Sequence, residues 1–148
     1  MRALLQRVRS AEVRVDEEVV GSIGAGWAVL LGVGRDDTPD VARALAEKVV
    51  HLRAFADDAG KMNRSALEVA AEALVVSQFT LYADLRRGRR PFFGAAAPPD
   101  LARALVGDFA AAIAGYGLRV ASGRFGAMME VRLVADGPVT LWLNTDEL

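Results

Sequence analysis

The sequence predicts an α+β fold, a curved, mixed sheet carrying helices, and three observations predict it. Strand-like segments fill the first third and the end of the chain, two segments between them have helical periodicity, and no repeat or low-complexity linker separates them. With 148 residues, 53% of them hydrophobic, the chain is long enough for one real core, so residues 1–148 read as a single domain.

Met1 to Val8 is the first strand-like segment. Val13 and Val15 then alternate with Glu12, Arg14 and Asp16, and Val19 to Ile23 resumes after an acidic turn, which makes a meander. Trp27 to Val33 is nearly all apolar between Gly26 and Gly34, the pattern of a central strand buried on both faces. Thr38 is placed to cap a helix with Pro39 at its first position, and Val41, Leu45, Val49 and Leu52 carry it to about Arg53. Asp57, Asp58 and Gly60 make a turn. Leu74 to Leu81 is a second apolar strand, and Tyr82 to Ala97, broken by Gly88, Pro91 and Gly94, is loop. Pro98, Pro99 and Asp100 open a second helix through Leu101, Leu105, Phe109 and Ile113, stopped by Gly115 and Gly117. Leu118–Ala121, Met129–Val134 and Val139–Leu143 are strands, the last two joined by a turn at Ala135 to Pro138.

Composition and residue counts exclude several chemistries. Eighteen Lys and Arg against nineteen Asp and Glu give a net charge of -1, so a polyanion must be met by a local patch. The absence of cysteine excludes a disulfide scaffold, a thiolate zinc site and a cysteine nucleophile. One histidine, His51, rules out a metal site of several imidazoles, and its place near a helix end suits the helix dipole without further function. Gly32 and Gly34 follow a buried strand, but Arg35 and Asp36 spoil a dinucleotide fingerprint, and there is no GxxxxGK[ST] loop. No apolar run approaches the ~20 residues of a membrane span, and no secretory signal precedes the first strand, so a cytoplasmic protein without metal or cofactor is expected.

Three features stand out. Ser77-Gln78-Phe79-Thr80 puts polar groups at the end of an apolar strand, where they bond either backbone or a ligand. Asp136-Gly137-Pro138-Val139-Thr140 enters the last strand, as an ordinary hairpin connection or as something more specific. Arg86, Arg87, Arg89 and Arg90 crowd four arginines into five residues before Pro91-Phe92-Phe93, a cationic patch beside aromatics suited to phosphate and base contacts, or a solvated loop.

Together with Leu5-Gln6-Arg7-Val8, Gly60-Lys61-Met62-Asn63 and Gly123-Arg124-Phe125-Gly126-Ala127, these motifs occur in an order and spacing that resemble the D-aminoacyl-tRNA deacylase family, also called the D-Tyr-tRNA deacylase family, over essentially the whole chain. The resemblance implies a barrel-like sheet with two main helices packed on it. It also implies a homodimeric hydrolase that cleaves the ester of D-aminoacyl-tRNA and of glycine mischarged on tRNA. Ser77, Gln78, Phe79 and Thr80 would form the catalytic segment. Gly137 and Pro138, joined by a cis peptide in this family, would cross the dimer interface to reject L-amino acids. Arg7, Phe125, Met129 and Val139 would support the site, and Arg86, Arg87, Arg89 and Arg90 would bind tRNA. Catalysis would lean on the tRNA's own 2′-hydroxyl, in keeping with a threonine that has no histidine or lysine in its motif to activate it. The chain departs from the family pattern at Met128, where Asp is usual, and at Ala135, where Asn is usual. A non-catalytic tRNA-binding protein, or an editor specialised for glycine or a small L-amino acid, are the competing readings.

Overall fold

The computed structural model describes residues 1–148. β1 (Arg2–Val15) is a fourteen-residue strand with Ala3, Leu5, Val8, Ala11, Val13 and Val15 buried. β2 (Glu18–Ile23) folds back on the second half of β1, and β3 (Gly26–Gly32) pairs antiparallel with the first half, from Val8 opposite Gly26 to Arg2 opposite Gly32. β6 (Glu72–Ser77) runs parallel to β3, and β7 (Val120–Ser122) parallel to β6. β8 (Glu130–Asn144) covers the other edge of β1 almost from end to end. Between β3 and β6 come α1 (Pro39–His51) and a small antiparallel hairpin, β4 (Phe55–Ala56) and β5 (Met62–Arg64). α2 (Pro99–Gly115) precedes β7. The sheet curls until β2 nearly meets β7: a Cβ at Gly21 would lie 2.5 Å from the Ser122 carbonyl oxygen. The result is a mixed, nearly closed, barrel-like sheet with two helices packed together against it.

Side-chain alternation on β3 explains why that strand is apolar throughout. Trp27, Val29 and Leu31 join a 23-residue cluster beneath the helices, while Ala28 joins a seven-residue cluster on the opposite face, with Val13, Leu74 and Val76. α1 is capped as the sequence predicts, the Val41 amide donating to Thr38 Oγ1 at 3.4 Å with Pro39 following. It ends at His51 rather than Arg53 because Leu52 has turned to ψ 124°. Leu105, Phe109 and Ile113 form the buried stripe of α2, and each such fully buried side chain is worth roughly 1.5–3 kcal/mol. No helix is long and apolar enough to cross a membrane.

Two expectations are corrected. The strand predicted to run to Leu81 stops at Ser77. The Gln78 amide makes the last ladder bond, to the Leu31 carbonyl at 2.7 Å, just before β3 itself ends. With no strand left to pair, Phe79–Tyr82 closes a 3-10 turn in which the Leu81 amide donates to the Gln78 carbonyl at 3.2 Å and the Ala83 amide to the Thr80 carbonyl at 3.0 Å. The two final strands and their hairpin turn are one strand, β8. Opposite β1, the register moves five steps along β8, from Thr140 to Ala135, against two along β1, from Gln6 to Val8. Asp136 to Val139 therefore bulge out of a continuing strand, where periodicity alone could only read a break.

Candidate functional site

The polar strand end that the sequence singles out is the wall of a cavity. Ser77, Gln78 and Phe79 face the first turns of α2 at Pro99, Ala102 and Val106 across a space of about 360 Å³, floored by Leu31 and Val33 and closed on one side by Phe125. A second hollow of about 330 Å³ lies against the same three residues, bounded by Met128, Met129 and Val131. Phe79 is 56% exposed and meets Phe93 edge to face, ring centres 5.0 Å apart. Thr80 is exposed, and its hydroxyl accepts a hydrogen bond from the Gln78 side-chain Nε2. No imidazole, amine or carboxylate hydrogen-bonds this hydroxyl. His51 sits at the end of α1, its Nδ1 against the Glu47 carbonyl at 2.8 Å and its ring edge-on to Tyr116. A threonine with no base beside it is a weak nucleophile. The backbone can do more here, since the first amides of the Phe79–Tyr82 turn have no partner within the turn.

Gly137 and Pro138 line neither hollow. They sit in the β8 bulge, joined by a cis peptide, and Gly137 has φ +120°. A Cβ there would come 2.9 Å from Val139 Cγ2 and 3.1 Å from an Arg7 guanidinium nitrogen, so only glycine fits. Arg7 anchors the bulge: its Nε pairs with Asp136 Oδ2 at 3.0 Å, and its terminal nitrogen donates to the Ala54 carbonyl at 2.5 Å. Gln6 adds a bond to the Val139 carbonyl at 3.2 Å and accepts one from Thr140 Oγ1. The structure thus joins Arg7, Val139, Gly137 and Pro138 in one group and Ser77 to Thr80, Phe125 and Met129 in another. Within one chain the two groups do not meet in a hollow. Met128, 92% exposed, bounds the second hollow, and Ala135 is the residue just before the bulge.

The arginines divide as well. Asp84 and Phe92 exchange backbone bonds at 2.7 and 3.1 Å, so residues 85–91 form a hairpin tip. Arg86 grips Asp84 with two side-chain bonds of 2.9 and 2.7 Å, and these hold the Asp84 carboxyl well below the usual carboxylate range. Arg87, Arg89 and Arg90 are exposed and have no carboxylate partner. Two contacts carried no signal in the sequence. The Arg103 guanidinium, on α2, lies over the Phe125 ring at 4.5 Å, and Arg2 lies over Tyr82 at 4.3 Å.

A cavity walled by the end of a strand, beside a hairpin tip with three unpaired arginines, gives this small α+β protein a concave site next to a cationic surface. The chain matches the D-Tyr-tRNA(Tyr) deacylase family over residues 4–144. It is 58% identical over 145 residues to a D-aminoacyl-tRNA deacylase of Roseiflexus sp. (strain RS-1), covering 98% of this chain and 94% of that one. Over 148 residues it is 57% identical to a D-aminoacyl-tRNA deacylase of Desulforudis audaxviator (strain MP104C), covering 100% and 99%. Among solved structures it is similar to the c-Myc DNA Unwinding Element Binding Protein, with TM-score 0.90 and 36% identity over 97% of this chain and 98% of that one. A probable eukaryotic D-amino acid tRNA deacylase shares the fold, with TM-score 0.84 and 21% identity over 96% and 97%. The chain belongs to the D-aminoacyl-tRNA deacylase family, hydrolases of tRNA proofreading.

Proposed function

We propose that the chain frees tRNA of D-amino acids, and of glycine mischarged on it, in the cavity beside Ser77, Gln78, Phe79 and Thr80. One observation carries the reading: the strand end that is polar without structural need walls a cavity large enough for part of an aminoacyl-adenosine, and no nucleophile with its base stands there. Water adds to the ester carbonyl, the carbonyl carbon's bond to the ribose O3′ breaks, and O3′ departs with a proton as a hydroxyl. The neighbouring 2′-hydroxyl of the tRNA assists, while the backbone of Phe79 and Thr80 orients the ester. An activated ester needs far less acceleration than a peptide bond, so positioning suffices.

Selection against L-amino acids belongs to Gly137 and Pro138, donated by a second copy of the chain. The support is twofold. The bulge is built around a glycine that tolerates no side chain and is anchored by Arg7. β8, which carries it, has its outer edge unpaired, with Val134 54% and Trp142 47% exposed, as a self-complementary interface requires. A wall of backbone carbonyls excludes the L-side chain sterically and admits many D-residues and glycine, which a fitted pocket would not do. Arg87, Arg89 and Arg90 hold the tRNA backbone.

The test compares amino-acid release from tRNA charged with D-Tyr, L-Tyr or Gly. Rapid release of D-Tyr and Gly with L-Tyr retained is expected. Equal release of D- and L-Tyr would refute the selection mechanism, and binding without release would make the protein a tRNA carrier.

A further inference from the structure

The 3-10 turn that follows Gln78 is gripped from below by groups that line neither of the two hollows described above. Arg2 lies at the start of β1, its backbone fixed between Gly32 of β3 and Asn144 of β8. Its guanidinium donates to the Leu81 carbonyl at 2.9 Å and stacks over the Tyr82 ring at 4.3 Å. The Arg2 Nε is buried with no hydrogen-bond partner, a cost that is offset only by the place it gives the rest of the guanidinium. Tyr82 in turn donates from its hydroxyl to Asp37 Oδ2 at 3.4 Å, and the same oxygen accepts from the Gly34 amide at 2.6 Å. Asp37 Oδ1 accepts from the Met1 amino group at 2.7 Å. Burial, and secondarily the Asp37 carboxylate, push the Tyr82 phenol far above its usual range, so it remains a donor.

Glycines make the fit flush. A Cβ at Gly32 would lie 3.0 Å from the Gln78 carbonyl oxygen and 3.1 Å from Leu81 Cβ, and one at Gly34 only 2.7 Å from the Tyr82 hydroxyl. Gly32, the last residue of β3, and Gly34 just beyond it leave room for the turn and its tyrosine to press on the strand end.

We propose that Arg2, Tyr82 and Asp37 are positioning residues for the deacylation, fixing the height of the turn over β3 so that the Phe79 and Thr80 backbone meets the ester. This rests on the placement of the site given above. Arg2 touches no substrate. It acts through the Leu81 carbonyl and the Tyr82 ring, on the last two residues of the turn whose first two face the substrate. The consequence is kinetic: loosening the grip lowers the rate of the bound complex and leaves tRNA affinity alone, because the unpaired arginines of the 85–91 tip do not depend on it.

The experiment is single-turnover and steady-state deacylation of D-Tyr-tRNA by Arg2→Ala, Arg2→Lys and Tyr82→Phe, with thermal melting of each. A misplacement of the order of 1 Å costs up to about 10²-fold in rate. Arg2→Ala is expected to approach that loss with KM within about twofold. Arg2→Lys keeps charge but not the planar fork, and recovers only part of the rate. Tyr82→Phe keeps the ring under Arg2 and loses one long hydrogen bond, a loss of about threefold. A rise in KM at unchanged single-turnover rate would overturn the proposal by making Arg2 a tRNA contact. A lowered melting temperature with full rate per folded molecule would overturn it by making the cluster merely structural. If Arg2→Ala does not fold, wild-type single-turnover rates in both other variants overturn it. Ala102→Trp, which fills the cavity facing Ser77 to Phe79, separates the two failures, because full activity in that variant would refute the placement of the site itself and the proposal with it.

Discussion

Two neighbouring stretches of the chain, the turn at Phe79–Tyr82 and the hairpin tip at residues 85–91, are built on opposite terms. The turn is pressed against two glycines, tied by Arg2 through a carbonyl and an aromatic face, and carries no charge of its own. The tip stands in solvent with four arginines, of which only Arg86 is tied, to Asp84. A group that must place a reacting ester within a fraction of an ångström needs the first kind of support, whereas a group that attracts a flexible polyanion needs reach and charge. Rate and affinity should therefore be separable between two stretches that lie within twelve residues of sequence, 79 to 90.

The sharpest way to break that separation is to alter the substrate. On tRNA ending in 2′-deoxyadenosine the single-turnover rate should fall by about 10²-fold or more, since the turn offers only backbone and no base of its own. An undiminished rate would mean that a protein group performs the chemistry. Next in size, replacing Arg87, Arg89 and Arg90 together by Ala should raise KM about tenfold near physiological salt and leave kcat within about twofold. The slope of log affinity against log salt should flatten by about 2 to 3 if each arginine neutralises one phosphate. Replacing Arg86 alone should shift KM less than replacing any one of the other three. Thr80→Ala should keep its single-turnover rate within about threefold of wild type, and an acyl adduct trapped on Thr80 would reverse the assignment. The smallest effect is a titration. Asp84 has its folded pKa depressed by Arg86, so the pair's contribution is present above the ordinary value of 3.8 and is lost only as pH falls through the lower, folded value. Carboxyl chemical shifts of Asp84 should show no midpoint near 3.8, and one found there would mean that the tip is untied throughout.

What the sequence shows clearly is what repeats along an element. The capped helix from Pro39, the strand buried on both faces, and the second helix from Pro99 to Gly115 follow from periodicity and end signals, and each forms. The residues that fill the cavity wall were legible for a different reason, as polar side chains where an apolar strand had no use for them. What stayed hidden depends on partners distant in sequence. The bulge at Asp136–Val139 looks like a hairpin turn because only β1, more than a hundred residues earlier, keeps the strand going. The end of β6 at Ser77 is set by where β3 ends. Arg2, Tyr82 and Asp37 share no pattern in the sequence, since their only common feature is a meeting place. The β4–β5 hairpin escaped notice because its strands are two and three residues long.

The unpaired side of β8 is also a hazard. Fifteen residues of free backbone at a sheet edge are a template on which any extended chain could add itself, and long flat edges of this kind seed aggregation. The bulge interrupts the template near its middle, and Pro138 has no N–H to offer an incoming strand. Glu130 and Arg132 put charge on the stretch before it. The same kink that presents Gly137 thus protects the newly made chain from indiscriminate β-pairing, and a variant with the bulge trimmed to a regular ladder should be harder to keep in solution than one merely inactive.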